Sequence, residues 1–311
     1  MAAVALAAAG GVALGAVLVR DSEEDADRPS GVPPFVVDLG VRTDPEAAAL
    51  RQAARAYSRG ERRRAAWILA RRMSLQARVG AALATWPVGS RARLEQLAQA
   101  NPNSGAVLFH LGLARYWEGD REGAVDIWRT TRTRDPDSAY GIRATDLLFR
   151  RFPPGLPSFI PSFRADRSVT RLPPAAQLAA LERNARSRDV RAKLLYGLAL
   201  QRLERPISAR RQYSAAALLA PRNPEALVAD AVGRFDKAHP ERAFSKLGPL
   251  TRRFPRAATV RFHLGVLLLW LGELAEARQQ LNAVARDSRT RSVLAREANR
   301  LLTRLEDVQG R

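Results

Sequence analysis

The chain has 311 residues, of which 46% are hydrophobic and 26% charged, and this composition excludes a broadly disordered protein. It contains no cysteine, which excludes disulfides, thiol nucleophiles and cysteine-ligated metal centres. The formal net charge of +20 comes almost entirely from arginine. Such a balance is typical either of a protein that binds an anionic partner or of a GC-rich genome that encodes arginine in place of surface lysine.

Residues 2–19, AAVALAAAGGVALGAVLV, form an uncharged apolar run of about the length that a helix needs to cross a bilayer. No basic region precedes the run and no small-x-small cleavage site follows it. We therefore predict a single-pass transmembrane anchor over 1–20 in the cell membrane; the alternative is a buried helix of the folded domain. An acidic, proline-containing linker over 21–43 is predicted to bury no core, and its acidity favours an extracytoplasmic position for the remainder.

Residues 44–104 are predicted to be helical, with degenerate helix-turn-helix repeats. Between residues 51 and 93 there are eleven arginines and a single acid, Glu61. This charge is either a solvated helix face or a surface for a phosphate-bearing polymer, nucleic acid or an anionic membrane. The candidate residues for such an anionic surface are Arg51, Arg55, Arg59, Arg62, Arg63 and Arg64.

The segment 105–152 is predicted to be a helical hairpin over 105–138 and a following helix. The motif FHLG begins at Phe109 and occurs again from Phe262. Six prolines interrupt residues 153–174 and exclude a helix through that stretch. Because the stretch also contains phenylalanine, leucine and isoleucine, we expect an insertion that packs over the helices; the alternative is a mobile segment that docks a partner.

A 34-residue period organises the segment 175–291. Ala209, Ala243 and Ala277 are 34 residues apart, and so are Pro221 and Pro255. The period defines three repeat windows, which are 190–223, 224–257 and 258–291. The last window is followed by an amphipathic helix over 292–311 that is predicted to cap the array.

This pattern resembles the tetratricopeptide repeat family, whose unit has a Leu-Gly pair, a Gly-Asp turn, an alanine, an aromatic residue and a closing proline. The window 105–138 shows all of these features, at Leu111, Gly112, Gly119, Asp120, Ala124, Trp128 and Pro136. The resemblance implies an all-α fold, an α-solenoid of helix-turn-helix repeats, and the N-terminal transmembrane helix predicted from the apolar run precedes it. Together with the arginine-rich composition it suggests a bacterial protein.

The repeated FHLG motif is interpreted as a signature of the repeat. His110, His239 and His263 are scattered, and no cysteine supports them, so we predict no metal site and no cofactor. No phosphate-binding loop, nucleophile motif or other catalytic signature occurs, and we predict no catalytic residues and no enzyme activity.

The resemblance implies a scaffold that binds a protein or peptide in a concave groove, as an assembly or adaptor factor. Aromatic and arginine side chains on the first helix of each repeat are the candidate groove residues. These are Phe109, Tyr116, Trp117, Arg202, Phe235, Phe262 and Trp270. Two alternatives remain, a binder of an anionic polymer or membrane through residues 51–93, and an accessory subunit of an enzyme complex.

Overall fold

The structure, a computed structural model, describes residues 29–286 and 292–309. The transmembrane anchor predicted for 1–20 therefore lies outside the described residues. Within them, all regular secondary structure is helical, and no helix is both long and apolar enough to cross a membrane. The chain divides into two compact units, an N-terminal unit that ends at Leu148 and a C-terminal unit that begins at Phe149.

The N-terminal unit consists of an extended segment, three helical hairpins and a closing helix. The first two hairpins pair α1 with α2 and α3 with α4, the third pairs α5 with α6, and α7 packs against α6. The helices are α1 Pro45–Ser58, α2 Arg62–Leu69, α3 Leu75–Ala84, α4 Ser90–Ala100, α5 Gly105–Glu118, α6 Arg121–Arg134 and α7 Ala139–Leu148.

Local sequence explains where these helices begin and end. The carboxylate of Asp44 accepts a hydrogen bond of 3.0 Å from the backbone N–H of Ala47, which satisfies one of the free donors at the start of α1. Gly119 ends α5 in the left-handed conformation, with φ of 93°, and Asp120 then caps α6 through the N–H of Gly123 at 2.9 Å. The Gly-Asp pair thus makes the sharp turn of the hairpin.

The C-terminal unit has a similar plan. An extended segment and a single helical turn lead into α9, then three hairpins pair α10 with α11, α12 with α13 and α14 with α15, and α16 packs on α15. The helices are α8 Arg167–Thr170, α9 Pro174–Ala185, α10 Val190–Arg202, α11 Pro206–Leu219, α12 Pro224–Val232, α13 Glu241–Arg253, α14 Ala258–Leu271, α15 Leu274–Ala285 and α16 Val293–Gln309.

Glycine lets the two helices of a hairpin approach closely. A Cβ atom on Gly112 would lie 2.4 Å from the indole nitrogen of Trp128, and one on Gly197 would lie 2.5 Å from the ring of Tyr213. The facing alanines of the second helices are all buried, as the 34-residue period predicts: Ala124, Ala209, Ala243 and Ala277. Close helix packing of this kind is the reason for the small residues in the repeat.

The hairpin of α12 and α13 departs from the pattern because Asp230 and Ala231 replace the Leu-Gly pair. Asp230 is buried, accepts a hydrogen bond from the hydroxyl of Ser214 and forms an ion pair of 3.0 Å with Arg234. A buried carboxylate costs stability unless it is paired, and here both of its oxygens have a partner.

One segment differs from the sequence prediction. The linker predicted for 21–43 was expected to bury no core, yet Phe35 and Leu39 are buried among the helices of the N-terminal unit. Prolines 33 and 34 favour an extended backbone, which turns Pro33 and Phe35 toward the helices while Pro34 stays exposed. The proline-rich stretch 153–174 is also extended, except for the single turn α8.

Candidate functional site

Residues 32–39, here called the N-terminal lodged segment, lie against the helices of the N-terminal unit and are held there through their backbone. The hydroxyl of Tyr57 donates a hydrogen bond of 2.8 Å to the carbonyl of Pro33. The N–H of Val36 donates to Nε2 of His110 at 3.0 Å. Side chains of two different hairpins thus bind main-chain groups of a segment that has no regular secondary structure.

The far end of this segment is bound by a side-chain amide. Oε1 of Gln76 accepts a hydrogen bond of 3.2 Å from the N–H of Asp38, and Nε2 of Gln76 donates one of 2.9 Å to the carbonyl of Asp38. The hydroxyl of Tyr140 also accepts from the N–H of Asp38, at 3.1 Å. The ring of Phe35 fills a space that Gly80 leaves open, since a Cβ on Gly80 would lie 2.5 Å from this ring. A larger residue than glycine at position 80 would therefore collide with the ring of Phe35.

Residues 152–163, the C-terminal lodged segment, are held in the same manner by the C-terminal unit. The N–H of Ile160 donates to Nε2 of His263 at 2.9 Å. Near the beginning of the segment, the ammonium group of Lys237, which is fully buried, donates to the carbonyl of Pro153 at 2.6 Å. Charged and neutral groups of the groove are both directed at the backbone of the segment.

Phe159 provides the apolar anchor of this segment. Its side chain is 0% exposed, and its ring stacks on His263 with 5.1 Å between centroids and meets Tyr213 edge-on at 5.5 Å. The N–H of Phe159 donates to Oε1 of Gln201 at 3.2 Å. Backbone and side chain of the same residue are thus both recognised.

Each of the two histidines is neutral and in a defined tautomer. Nδ1 of His110 lies 2.6 Å from the carbonyl oxygen of Ala106, and Nδ1 of His263 lies 2.7 Å from that of Thr259. Because a carbonyl only accepts, Nδ1 carries the proton and Nε2 is left free to accept the amide of the lodged segment. Burial lowers the pKa of both imidazoles to about 4, so both are uncharged near neutral pH.

The repeated FHLG motif therefore has a shared role that sequence reasoning missed. His110 and His263 each lie on the first helix of the third hairpin of their unit, and each binds the amide that follows a buried phenylalanine, Phe35 or Phe159. A signal was present in the sequence, because a Pro-Pro pair and a phenylalanine precede the helices of each unit, in VPPF and in FPPGLPSF.

The aromatic residues predicted to line an open groove are mostly covered. Phe109, Phe235, Phe262 and Trp270 are buried, while Tyr116 and Trp117 are partly buried. Phe235 illustrates the reason, since Phe152 of the C-terminal lodged segment packs edge-on against it with 6.2 Å between ring centroids. In the C-terminal unit this face of the helices is thus covered by the chain itself.

The C-terminal lodged segment leaves part of its groove open. Its end is fixed by Glu225, whose carboxylate accepts the N–H of Ser162 at 3.2 Å and whose pKa is raised by burial. Beside it lies a mainly apolar pocket of about 460 Å³. Arg202 lines this pocket and is the one predicted groove residue that does so; other lining residues are Ile160, Phe163, Leu195 and Leu198.

The arginines predicted as an anionic surface lie on α1, α2 and the turn between them. Glu61 forms ion pairs with Arg59 at 2.8 Å and with Arg64 at 3.1 Å. Arg51 and Arg62 donate to backbone carbonyls of neighbouring turns, and the remaining two of the six, 55 and 63, are exposed. Part of the predicted charge is thus engaged in local contacts.

Comparison with known proteins identifies one repeat of the chain. The tetratricopeptide repeat family matches residues 106–138, which cover α6 and nearly all of α5. No curated protein matches the chain. Among solved structures, yeast Tom70 aligns with 14% identity and a TM-score of 0.32 over 85% of this chain and 55% of Tom70, so that the chain spans about half of that protein.

Residues 29–286 and 292–309 thus form an array of helical hairpins in which residues 106–138 match the tetratricopeptide repeat. No group of three or more histidine, aspartate or glutamate side chains that could hold a metal ion occurs in the part of the chain that the structure describes.

Proposed function

We propose that the chain is a protein-interaction scaffold, that its grooves bind extended segments of a partner protein, and that the two lodged segments occupy these grooves in cis. The observation that carries this proposal is the direct recognition of an extended backbone by groove side chains in both units, at Val36 and at Ile160.

The contacts are those that recognise an extended peptide. Hydrogen bonds to main-chain N–H and C=O groups bind any chain of the right conformation, whereas a pocket for one large side chain adds selectivity. In the C-terminal unit the backbone of residues 153–162 is bound at four places, and Phe159 supplies the buried anchor. A fully buried aromatic residue is a typical centre of binding energy at a protein interface.

A tethered segment competes with any partner. The effective concentration of the segment at its own groove is of the order of millimolar or higher. A partner's apparent affinity is its intrinsic affinity multiplied by the fraction of grooves that are free, so an occupied groove binds a partner weakly. The open pocket beside Ile160 gives an incoming apolar side chain a first contact before the internal segment is displaced.

The test uses two proline substitutions in the C-terminal lodged segment. Ile160→Pro removes the N–H that His263 accepts, in a stretch that Pro161 already keeps extended. Ser158→Pro is the matched control, since the N–H of Ser158 makes no hydrogen bond among the described residues. A labelled synthetic peptide with the sequence of residues 152–163 is titrated against each chain by fluorescence anisotropy.

We expect the Ile160→Pro chain to bind the peptide about ten-fold more tightly than either the unaltered chain or the Ser158→Pro chain. A peptide with alanine at the position of Phe159 should not bind. Rapid proteolysis within residues 152–163 shows that the internal segment has been released. If the released chain still fails to bind the peptide, the groove is not a peptide site and the proposal is wrong.

The membrane anchor over 1–20 completes the proposed function, because it would hold the scaffold at the cell membrane with its repeats outside the cytoplasm. Fractionation of cells that express the full chain, next to a chain that begins at residue 29, tests this part. Recovery of both chains in the same soluble fraction would contradict the anchor and leave the peptide groove unaffected.

A further inference from the structure

Helix α2 exposes a large aromatic side chain on its outer face. Ala65, Ile68 and Leu69 are buried and attach the helix to the N-terminal unit, whereas Trp67 on the opposite side is 60% exposed. An indole exposes a large apolar area with one polar N–H, and burial of that area against a second surface is favourable.

Exposed arginines surround Trp67. Arg63 lies four residues before it, on the same helix face, and is exposed. Arg71 lies four residues after it and places its guanidinium carbon 4.0 Å from the centroid of the indole ring. No acidic side chain pairs with Arg63 or Arg71 among the described residues. The indole of Trp67 therefore lies between the guanidinium groups of two arginines whose positive charges no described acidic side chain neutralises.

One aliphatic side chain close to α2 is also exposed: Met73, directly after the helix and two residues from Arg71, is 89% exposed. We call Arg63, Trp67, Arg71 and Met73 the Trp67 patch.

We propose that the Trp67 patch binds the surface of an anionic lipid membrane, independently of the peptide grooves. Tryptophan favours the headgroup region because one side of its ring is apolar and its N–H is polar. Arginines beside it gain energy from anionic headgroups, and exposed aliphatic side chains gain by entering the boundary of the acyl chains. Single-stranded nucleic acid would use the ring and the charges but has no use for Met73, which offers no face for base stacking.

The experiment follows the emission of Trp67 in the full chain. Of the five tryptophans, three are buried and Trp117 is partly buried, so that Trp67 is the one that lipid can reach. Emission is recorded with vesicles of phosphatidylcholine alone and with vesicles that also contain phosphatidylglycerol, each with and without bromine on the acyl chains. Residues 2–19 are uncharged, so binding through them does not depend on the charge of the lipid.

We expect a blue shift and quenching by bromine that require phosphatidylglycerol and weaken with salt. Replacing both Arg63 and Arg71 with glutamine should lower about thirty-fold the equilibrium constant for contact between Trp67 and phosphatidylglycerol vesicles, read from the quenching. Trp67→Ala should abolish the quenching. Arg129→Gln, at an exposed position on α6, is the control and should change neither quantity.

Three results would overturn the proposal. Anionic vesicles that leave the emission of Trp67 unchanged would show that the patch does not touch lipid. Equal quenching by neutral and anionic vesicles would show that the arginines play no part. A single-stranded oligonucleotide that quenches Trp67, where vesicles do not, would make the patch a nucleic-acid surface instead.

Discussion

His110 and His263 show how one buried residue fixes the position of a whole segment. Each ring has both nitrogens in hydrogen bonds, one to a carbonyl of its own helix and one to the amide of the lodged segment. Protonation would turn Nε2 into a donor that faces an N–H group. The neutral ring is therefore a condition for the lodged state.

We predict that both units lose stability in mild acid. The pKa of each histidine is lowered from 6.5 to about 4 by burial, so the unfolded chain binds the proton more readily. The contribution of each neutral histidine to the free energy of unfolding is complete above pH 6.5. Between pH 6.5 and pH 4 this contribution falls by about 1.4 kcal/mol per pH unit. Glu225, whose pKa is raised by burial, acts in the opposite direction and lessens the slope.

Urea unfolding between pH 7.5 and pH 5 measures this slope, and His263→Gln should reduce it in the C-terminal unit. An unfolding free energy of the unaltered chain that stays constant over this range would show that the imidazoles are not buried in the neutral form.

Glycine substitutions offer a second prediction at the scale of the residue. Gly197→Ala should destabilise the C-terminal unit by about 1–3 kcal/mol, because the new Cβ meets the ring of the fully buried Tyr213. Gly248→Ala, within α13, is the comparison: apart from its chain neighbours, among them Pro249, nothing lies within 4 Å of its Cβ position, so this substitution should cost less stability than Gly197→Ala. Equal effects in thermal unfolding would contradict the close packing at Gly197.

At the scale of the element, hairpins and lodged segments differ in how far the sequence foretells them. The hairpin of α5 and α6 is predicted from Gly112, Ala124 and Pro136. At this spacing, glycine and alanine allow two helices to approach closely and proline ends the second helix. The lodged segments carry no period, and their hydrogen bonds join residues 74 and 103 positions apart. Such partners become visible only when the helices have been placed in three dimensions.

We predict that the C-terminal lodged segment is part of the core of its unit. Phe159→Ala should lower the free energy of unfolding by about 3–5 kcal/mol, as expected for a fully buried phenylalanine. Phe163→Ala is the comparison, because this ring is only partly buried beside Arg191 and should cost less than half as much. Urea unfolding that ranks the two variants equally would mean that the segment is not lodged.

At the scale of the molecule, each unit has its own core. The cluster around Leu50, Leu83 and Leu94 lies entirely within the N-terminal unit, and the cluster around Phe159 and Leu247 lies entirely within the C-terminal unit. The sequence predicted the helical-repeat class, because the period survives substitution of single residues. It did not predict that the chain itself covers these aromatic residues. An aromatic residue in the sequence is compatible both with a side chain that binds a partner and with one that packs against its own chain.

We expect residues 149–311 to fold as an independent fragment, with helical circular dichroism and one cooperative unfolding transition. The corresponding fragment that begins at residue 164 lacks the lodged segment and should unfold at a lower temperature. Loss of helical structure in the longer fragment would contradict the assignment of a separate core.

The most direct test of the central claim is a measurement of the hydrogen bond between the chain and its own groove. A nitrogen–nitrogen scalar coupling across that bond, recorded by nuclear magnetic resonance, joins the amide of Ile160 to Nε2 of His263 only if the imidazole accepts that proton. We predict a resolved coupling at neutral pH, slow exchange of this amide with solvent, and loss of both in acid. An Ile160 amide that exchanges as fast as that of an unfolded peptide, with no coupling to His263, would show that the segment does not occupy the groove.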